Sequence, residues 1–227
     1  MGKLTDISNL NGFFSSLWEG QDDRVILKFM EDRQVRTMTA GCFQEQAEKV
    51  AASLAERNLW GRHIGIMGAN RVQWMAAFCA VYKVGGIAVL LSPDLNSREL
   101  NMRMSQADVA GLIYDKTLET QVKDACVGTE VQTLCLDELQ ECHAFLKNPN
   151  WEPGREDLAC ILFTSGTTAQ AKAVMLSHGA MLAGVCHRVI GKDFDAQLAI
   201  LPLHHIAGIA SVLNTWYLGA VVCLGRE

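Results

Sequence analysis

The sequence predicts an α/β fold, a parallel sheet with helices on both faces. From about residue 40, short apolar runs alternate with longer stretches of helical period. The runs 63–67, 87–91, 109–114 and 158–163 are apolar at nearly every position, as strands covered on both faces must be. Helical stretches separate them, and parallel pairing needs such crossover connections.

Each element has a local cause. Residues 25–30 and 35–38 flank Glu31-Asp-Arg-Gln34 and read as a hairpin. Phe43, Ala47, Val50, Ala51 and Leu54 fall at helical spacing, giving an amphipathic helix over 42–56. The strand 63–67 ends at Gly68-Ala-Asn70. Residues 72–84 are apolar all round and predict a buried helix closed by Gly85-Gly86. Trp74, Phe78 and Tyr82 recur four apart within it, a core pattern. Strand 87–91 stops at Ser92-Pro93, and Ser97 with Glu99 and Leu100 starts a helix. A strand over 109–114, a helix over 117–126 and a strand over 131–136 follow. Asp137 is placed to cap a helix reaching about residue 146. The segment 147–156 holds two of the four prolines and predicts a loop before strand 158–163.

Composition bounds the function. A chain of 227 residues, 49% hydrophobic and 20% charged, suits one large globular domain or two small ones. A net charge of −5 argues against nucleic acid and anionic membranes as partners. No apolar run is long enough to span a membrane. The eight cysteines form no C-x-x-C pair, and most lie in apolar runs. They read as buried small side chains of a reducing compartment, the cytoplasm.

The chemistry concentrates after strand 158–163. Four hydroxyl side chains, Thr164, Ser165, Thr167 and Thr168, surround Gly166, and an ammonium follows at Lys172. Hydroxyls, free backbone N–H groups and one cation suit a chain of phosphates. Phosphates bind outside the carboxyl ends of parallel strands, where this cluster lies. No G-x-x-x-x-G-K-[ST] occurs, so the loop is not of the Walker type. The run from Thr164 through Lys172 to Val174, Leu176, Ser177 and His178 resembles the phosphate-binding loop of the AMP-forming, adenylate-forming enzymes, which include acyl-CoA synthetases, adenylation domains and luciferases. Their pattern is roughly T-S-G-T-T-G-x-P-K-G-V-x-L-S-H. Ala169 and Ala173 replace its glycines and Ala171 its proline. Alanine at 169 or 173 costs about 1–2 kcal/mol if the backbone there is left-handed. Loss of the proline predicts a loop over 164–172 that is exposed and mobile until a ligand orders it.

A second element, Leu201-Pro-Leu-His-His-Ile-Ala-Gly208, resembles the family's L-P-L-F-H-x-x-G. His205 takes the place of the family histidine, and His204 stands where phenylalanine is usual. The resemblance places His205, the candidate catalytic residue, beside the carboxylic acid. An H-H-x-x-x-D acyltransferase reading fails because position 209 is Ile209. No accompanying His or Cys spacing suggests zinc, so no metal ligand is assigned. His63, His143 and His187 read as surface or helix-end residues.

The resemblance covers residues 20–227 loosely, with 161–178 and 201–208 specific. It implies the first α/β subdomain of the adenylate-forming N-terminal domain plus part of the second. A hairpin region over 1–41 contributes to the second, 42–195 carries the phosphate loop, and 196–227 begins the second. It implies an acid–thiol ligase using ATP, Mg2+ and coenzyme A. The acid would be converted to an acyl-adenylate and then to a thioester on CoA or a carrier-protein thiol. Thr164, Ser165, Gly166, Thr167, Thr168 and Lys172 are the implied nucleotide-binding residues. The family's Tyr-Gly-x-Thr-Glu element, ribose-binding aspartate, hinge and C-terminal lysine have no counterpart here. The chain therefore reads as the N-terminal part of a longer protein and is expected to be inactive alone. The three alanines leave open a second reading, a non-catalytic adenylate-fold binding or regulatory protein.

Overall fold

A computed structural model describes residues 6–139, 153–164, 172–187 and 194–225. Two sheets organise them. The larger is built from β3 (His63–Met67), β4 (Ile87–Leu91), β5 (Val109–Tyr114), β6 (Gln132–Cys135), β7 (Leu158–Thr164) and β8 (Lys172–Ser177), in the order β6-β5-β3-β4-β7-β8. The first five strands run parallel. The smaller sheet takes strands from both ends of the chain: β1 (Val25–Glu31), β2 (Gln34–Thr39), β9 (Ala196–Ala199) and β10 (Val221–Leu224), ordered β2-β1-β10-β9. Strands β1 and β2 form the expected hairpin, with Asp32 and Arg33 at positive φ in its turn.

Period-two alternation along β4 shows why the large sheet is covered on both sides. Ala88 and Leu90 enter one apolar cluster, while Ile87, Val89 and Leu91 enter the other. The second cluster lies under α4 (Ser97–Gln106) and α5 (Glu119–Cys126). The first is shared by both sheets. It unites Ile64, Ile66 and Leu90 of the larger with Leu27 and Val222 of the smaller, through α2 (Ala40–Glu56), α3 (Val72–Lys83), α6 (His178–His187) and α7 (Ile206–Tyr217). Trp18, Phe43 and Trp216 meet there at centroid distances of 5.2–5.5 Å, and the Trp216 indole N–H donates to the Ile26 carbonyl. In the same core Trp74 stacks on Phe78 and Phe78 meets Tyr82 edge to face, as their spacing predicts.

Helix ends follow sequence signals. Asn96 and Glu99 form a reciprocal capping box at α4. Gly85, at φ +64°, ends α3 as the glycine pair predicts.

Several features differ from the sequence reading. Helix α1 (Leu10–Trp18) is unforeseen; Asn9 caps it and Leu10, Phe13, Phe14, Leu17 and Trp18 are buried. Strand β8 runs antiparallel to β7, so residues 172–177 are sheet edge and not simply the lead-in to a helix. Leu136–Glu138 is a 3-10 turn where a helix capped by Asp137 is expected. The rest of that helix, His143 and part of the loop 147–156 lie outside the described residues. Of the described cysteines, Cys79, Cys135 and Cys160 are buried, but Cys126 and Cys223 are half-buried and Cys42 is exposed. All six are free thiols, and burial pushes Cys160 up to about 12. Among the described residues, no helix is long and apolar enough to cross a membrane.

Candidate functional site at the carboxyl edge of the larger sheet

Strand β7 delivers Thr164 to the carboxyl edge of the sheet, where its side chain is exposed. Strand β8 returns from the same edge beginning at Lys172, and Thr164 and Lys172 are register partners. Partners in an antiparallel pair put their side chains on the same face. The first hydroxyl and the ammonium of the motif are thus side by side and open to water. Ser165, Gly166, Thr167 and Thr168, together with the expected mobility of their loop, lie outside the described residues. Among the described residues Lys172 makes no ion pair.

The alanine at 173 takes an ordinary strand conformation opposite Phe163. It is not among the described residues of positive φ, so no left-handed strain arises there. Ala169 and Ala171 lie outside the described residues.

The His204–His205 element connects β9 to α7. His205 is the N-cap residue of α7 and is exposed, and its ring centroid lies 4.4 Å from that of His204. Burial, reinforced by His205, pulls His204 down to about 4 against the opposing charge of Asp94. His204 is therefore a neutral imidazole near pH 7. Asp94 belongs to the loop after β4, and β4 is the neighbour of β7. The 201–208 element reaches the carboxyl edge at the end of β3, where Asn70 bonds it, and β3 and β7 flank β4 in the sheet.

Three groups to which the sequence reading assigned no role hold this edge. Asn70, after β3, donates its amide N–H to the Leu201 carbonyl and accepts the Leu203 backbone N–H, both at 2.8 Å. Gly208 allows the first turn of α7 to close over the chain before it, because a Cβ there would sit 2.1 Å from the Pro202 carbonyl oxygen. Arg71 is the hub of an ionic network. It reaches Asp115 through Nε at 2.7 Å and Asp137 through both terminal nitrogens at 2.7 Å. Asp115 also accepts the Ala69 backbone N–H at 2.8 Å, and Asp137 accepts that of Lys116 at 2.8 Å. Burial alone would lower the Arg71 pKa; its bond to Asp137 and the two carboxylate charges hold it above its ordinary value. Burial keeps Asp115 above the usual carboxylate range despite these partners, whereas the Arg71 bonds hold Asp137 below it. Each had a local mark in the sequence: Asn70 and Arg71 follow a strand end and precede an apolar helix, and Gly208 closes the 201–208 motif.

His178, the last residue of the phosphate-loop motif, has a structural place. It is 1% exposed, and its Nδ1 accepts the Leu10 backbone N–H at 3.2 Å. Burial pulls it down to about 4. His63 is half-buried, with Nδ1 2.6 Å from the Ala107 carbonyl. Among the described residues no three His, Cys, Asp or Glu side chains gather as a metal-binding group.

The fold is that of an α/β protein whose larger sheet presents a hydroxyl–ammonium pair, Thr164 and Lys172, at its carboxyl edge. The chain belongs to the AMP-binding enzyme family, which matches residues 14–227. It is 27% identical over 164 residues to a 2-succinylbenzoate–CoA ligase of Bacillus mycoides, covering 71% of this chain and 32% of that protein. Over 194 residues it is 26% identical to 4-coumarate–CoA ligase 1 of Petroselinum crispum, covering 78% and 36%. The chain thus spans about a third of the length of these curated relatives. Its fold matches a long-chain-fatty-acid–CoA ligase of Archaeoglobus fulgidus at a TM-score of 0.83 and 19% identity, over 96% of this chain and 47% of that one.

Proposed function

We propose that this chain supplies the phosphate-binding edge and part of the acid pocket of an AMP-forming acid–thiol ligase. The observation that carries this is the pairing of Thr164 with Lys172, both exposed, at the carboxyl end of β7. In the reaction, a carboxylate attacks the α-phosphate of ATP to give an acyl-adenylate and pyrophosphate. A thiol, of coenzyme A or of a carrier protein, then takes the acyl group and releases AMP. Lys172 and the hydroxyls of Thr164, Ser165, Thr167 and Thr168, with the backbone of Gly166, hold the β- and γ-phosphates. They neutralise charge that grows on the departing pyrophosphate. His205 borders the acid, and His204 presents a neutral ring beside it. Magnesium would add charge neutralisation at the phosphates. The described residues offer it no carboxylate cluster, so its oxygen ligands would come from the phosphates themselves and from elsewhere. The CoA ligase names of the relatives support a carboxylic acid and a thiol as substrates.

The test uses a protein in which this chain is joined to the family's adenine-binding and lysine-bearing elements. Lys172→Met should slow acid-dependent pyrophosphate exchange by roughly 10- to 1,000-fold, the scale for losing one electrostatic stabiliser. Unchanged exchange would remove Lys172 from the site. Ala169→Gly and Ala173→Gly with Ala171→Pro restore the family loop and should raise the rate if these residues impair its geometry. A protein inert to every acid with Lys172 intact and the loop restored would favour a non-catalytic binding protein. The 227-residue chain alone should release no pyrophosphate above background.

A further inference from the structure

We propose that Asn70 is a positioning residue that fixes the His204–His205 element over the carboxyl edge of the larger sheet. This rests on the reading of His205 as a neighbour of the acid. The side chain of Asn70 satisfies one carbonyl and one amide of the same short segment, those of Leu201 and Leu203. An amide is the smallest side chain that both donates and accepts at fixed spacing. The two bonds span 131 and 133 residues of sequence and bind a loop of the smaller sheet to one of the larger. Leu203 anchors the middle of the segment in the apolar cluster shared by both sheets, whereas Leu201, Pro202 and His205 are exposed and have no such anchor. Its downstream end is set by the tight contact of Gly208 with Pro202.

Asn70 can serve this purpose because its own loop is braced. On one side Ala69 donates its backbone N–H to Asp115, and on the other Arg71 bridges Asp115 and Asp137. The Asp115 carboxylate also rests on Gly68, where an added Cβ would lie 2.4 Å from its oxygen. The ionic network thus fixes the loop, the loop fixes the Asn70 amide, and the amide fixes the imidazoles. Asn70 touches no reacting atom in this scheme. Its effect reaches the acid only through the backbone of 201–205.

The experiment is amide hydrogen exchange and imidazole NMR on the 227-residue chain, comparing wild type, Asn70→Ala and Asn70→Asp. Asn70→Ala removes both bonds. Exchange at the Leu203 amide should accelerate by about 5- to 10-fold, the scale of one or two intramolecular hydrogen bonds, with β3 amides of Ile64 and Ile66 unchanged. The ring signals of His204 and His205 should move toward averaged positions. Asn70→Asp keeps the acceptor for Leu203 but not the donor to Leu201, so it should restore part of the Leu203 protection. If the alanine variant loosens the whole sheet, this near-isosteric variant decides the matter by the same Leu203 ratio. Unchanged Leu203 exchange and unchanged ring signals in Asn70→Ala would overturn the proposal. A parallel titration with 4-coumarate and 2-succinylbenzoate separates the underlying reading. Wild-type His205 signals that shift with acid, and shift less in Asn70→Ala, support both. Wild-type signals indifferent to either acid, with Leu203 still released in the variant, would leave the clamp standing and remove its link to these acids.

Discussion

The carboxyl edge of the larger sheet has two halves of opposite character. After β3, β5 and β6, every charge of Arg71, Asp115 and Asp137 is spent on another protein group. After β7, Thr164 and Lys172 stand exposed, and among the described residues Lys172 has no ionic partner. One half closes its polar groups on itself and sets geometry; the other leaves them available to an anion. A cation at a strand end is therefore not a binding signal by itself. What distinguishes Lys172 from Arg71 is what the fold has already placed beside it.

The same substitution at the two cations gives the largest contrast. Arg71→Met strands the mostly buried Asp115 and should destabilise the chain by about 3–5 kcal/mol, the cost of breaking a buried pair. Lys172→Met should change stability by no more than about 0.5 kcal/mol, as expected of an exposed side chain. Urea denaturation of both variants checks this, and equal losses would erase the distinction.

The histidines sharpen it next. Free His178 would take up a proton near its ordinary value of 6.5, whereas the folded protein resists until about 4. The unfolded chain binds more protons in that window, so stability falls as pH drops from about 6.5 to about 4. The loss approaches about 3 kcal/mol for His178, which is 1% exposed. Denaturation midpoints across pH 4–7 should flatten in His178→Gln. His204 shifts in the same direction but is only half-buried, so His204→Phe should flatten the curve much less.

A further stability effect, confined to the 201–208 element, should come from Gly208→Ala. Its methyl would meet the Pro202 carbonyl, and a well-packed site resists such an insertion by about 1–3 kcal/mol before relaxation. Gly208 is buried and the atoms its methyl would meet are backbone, so the upper end is expected. Movement of the His205 ring signal without a comparable change in the β3 amides would place the strain in the 201–208 element.

How far the sequence revealed this arrangement depended on the range of the signal. Strands β3, β4, β5 and β7 and helix α3 were legible because burial on both faces, or all round, writes itself as local apolar runs. The Gly85 end of α3 and the helix start at residues 96–99 were equally local. Helix α1 was legible but went unread: Leu10, Phe13, Phe14, Leu17 and Trp18 fall at i, i+3, i+4, i+7 and i+8 behind the Asn9 cap, although the partners that bury them lie far along the chain. Strand β8 was hidden because Lys172–Ser177 has no alternation clean enough to separate a sheet edge from a helix approach. At the site, Thr164, Lys172 and His205 were legible as motif residues. The partners of Asn70, Asp94, Asp115 and Asp137 were not, because each acts across tens of residues or more, and only the folded sheet edge brings them together.

The central claim is that the open half of this edge is built for a phosphate chain. Calorimetric titration of the 227-residue chain with magnesium pyrophosphate tests it most directly, alongside Lys172→Met and Arg71→Lys. The account predicts saturable binding that weakens by about 10-fold or more in Lys172→Met, the scale of one charge-assisted hydrogen bond, and by far less in Arg71→Lys. Absence of binding by the folded wild-type chain, or binding indifferent to Lys172, would contradict it.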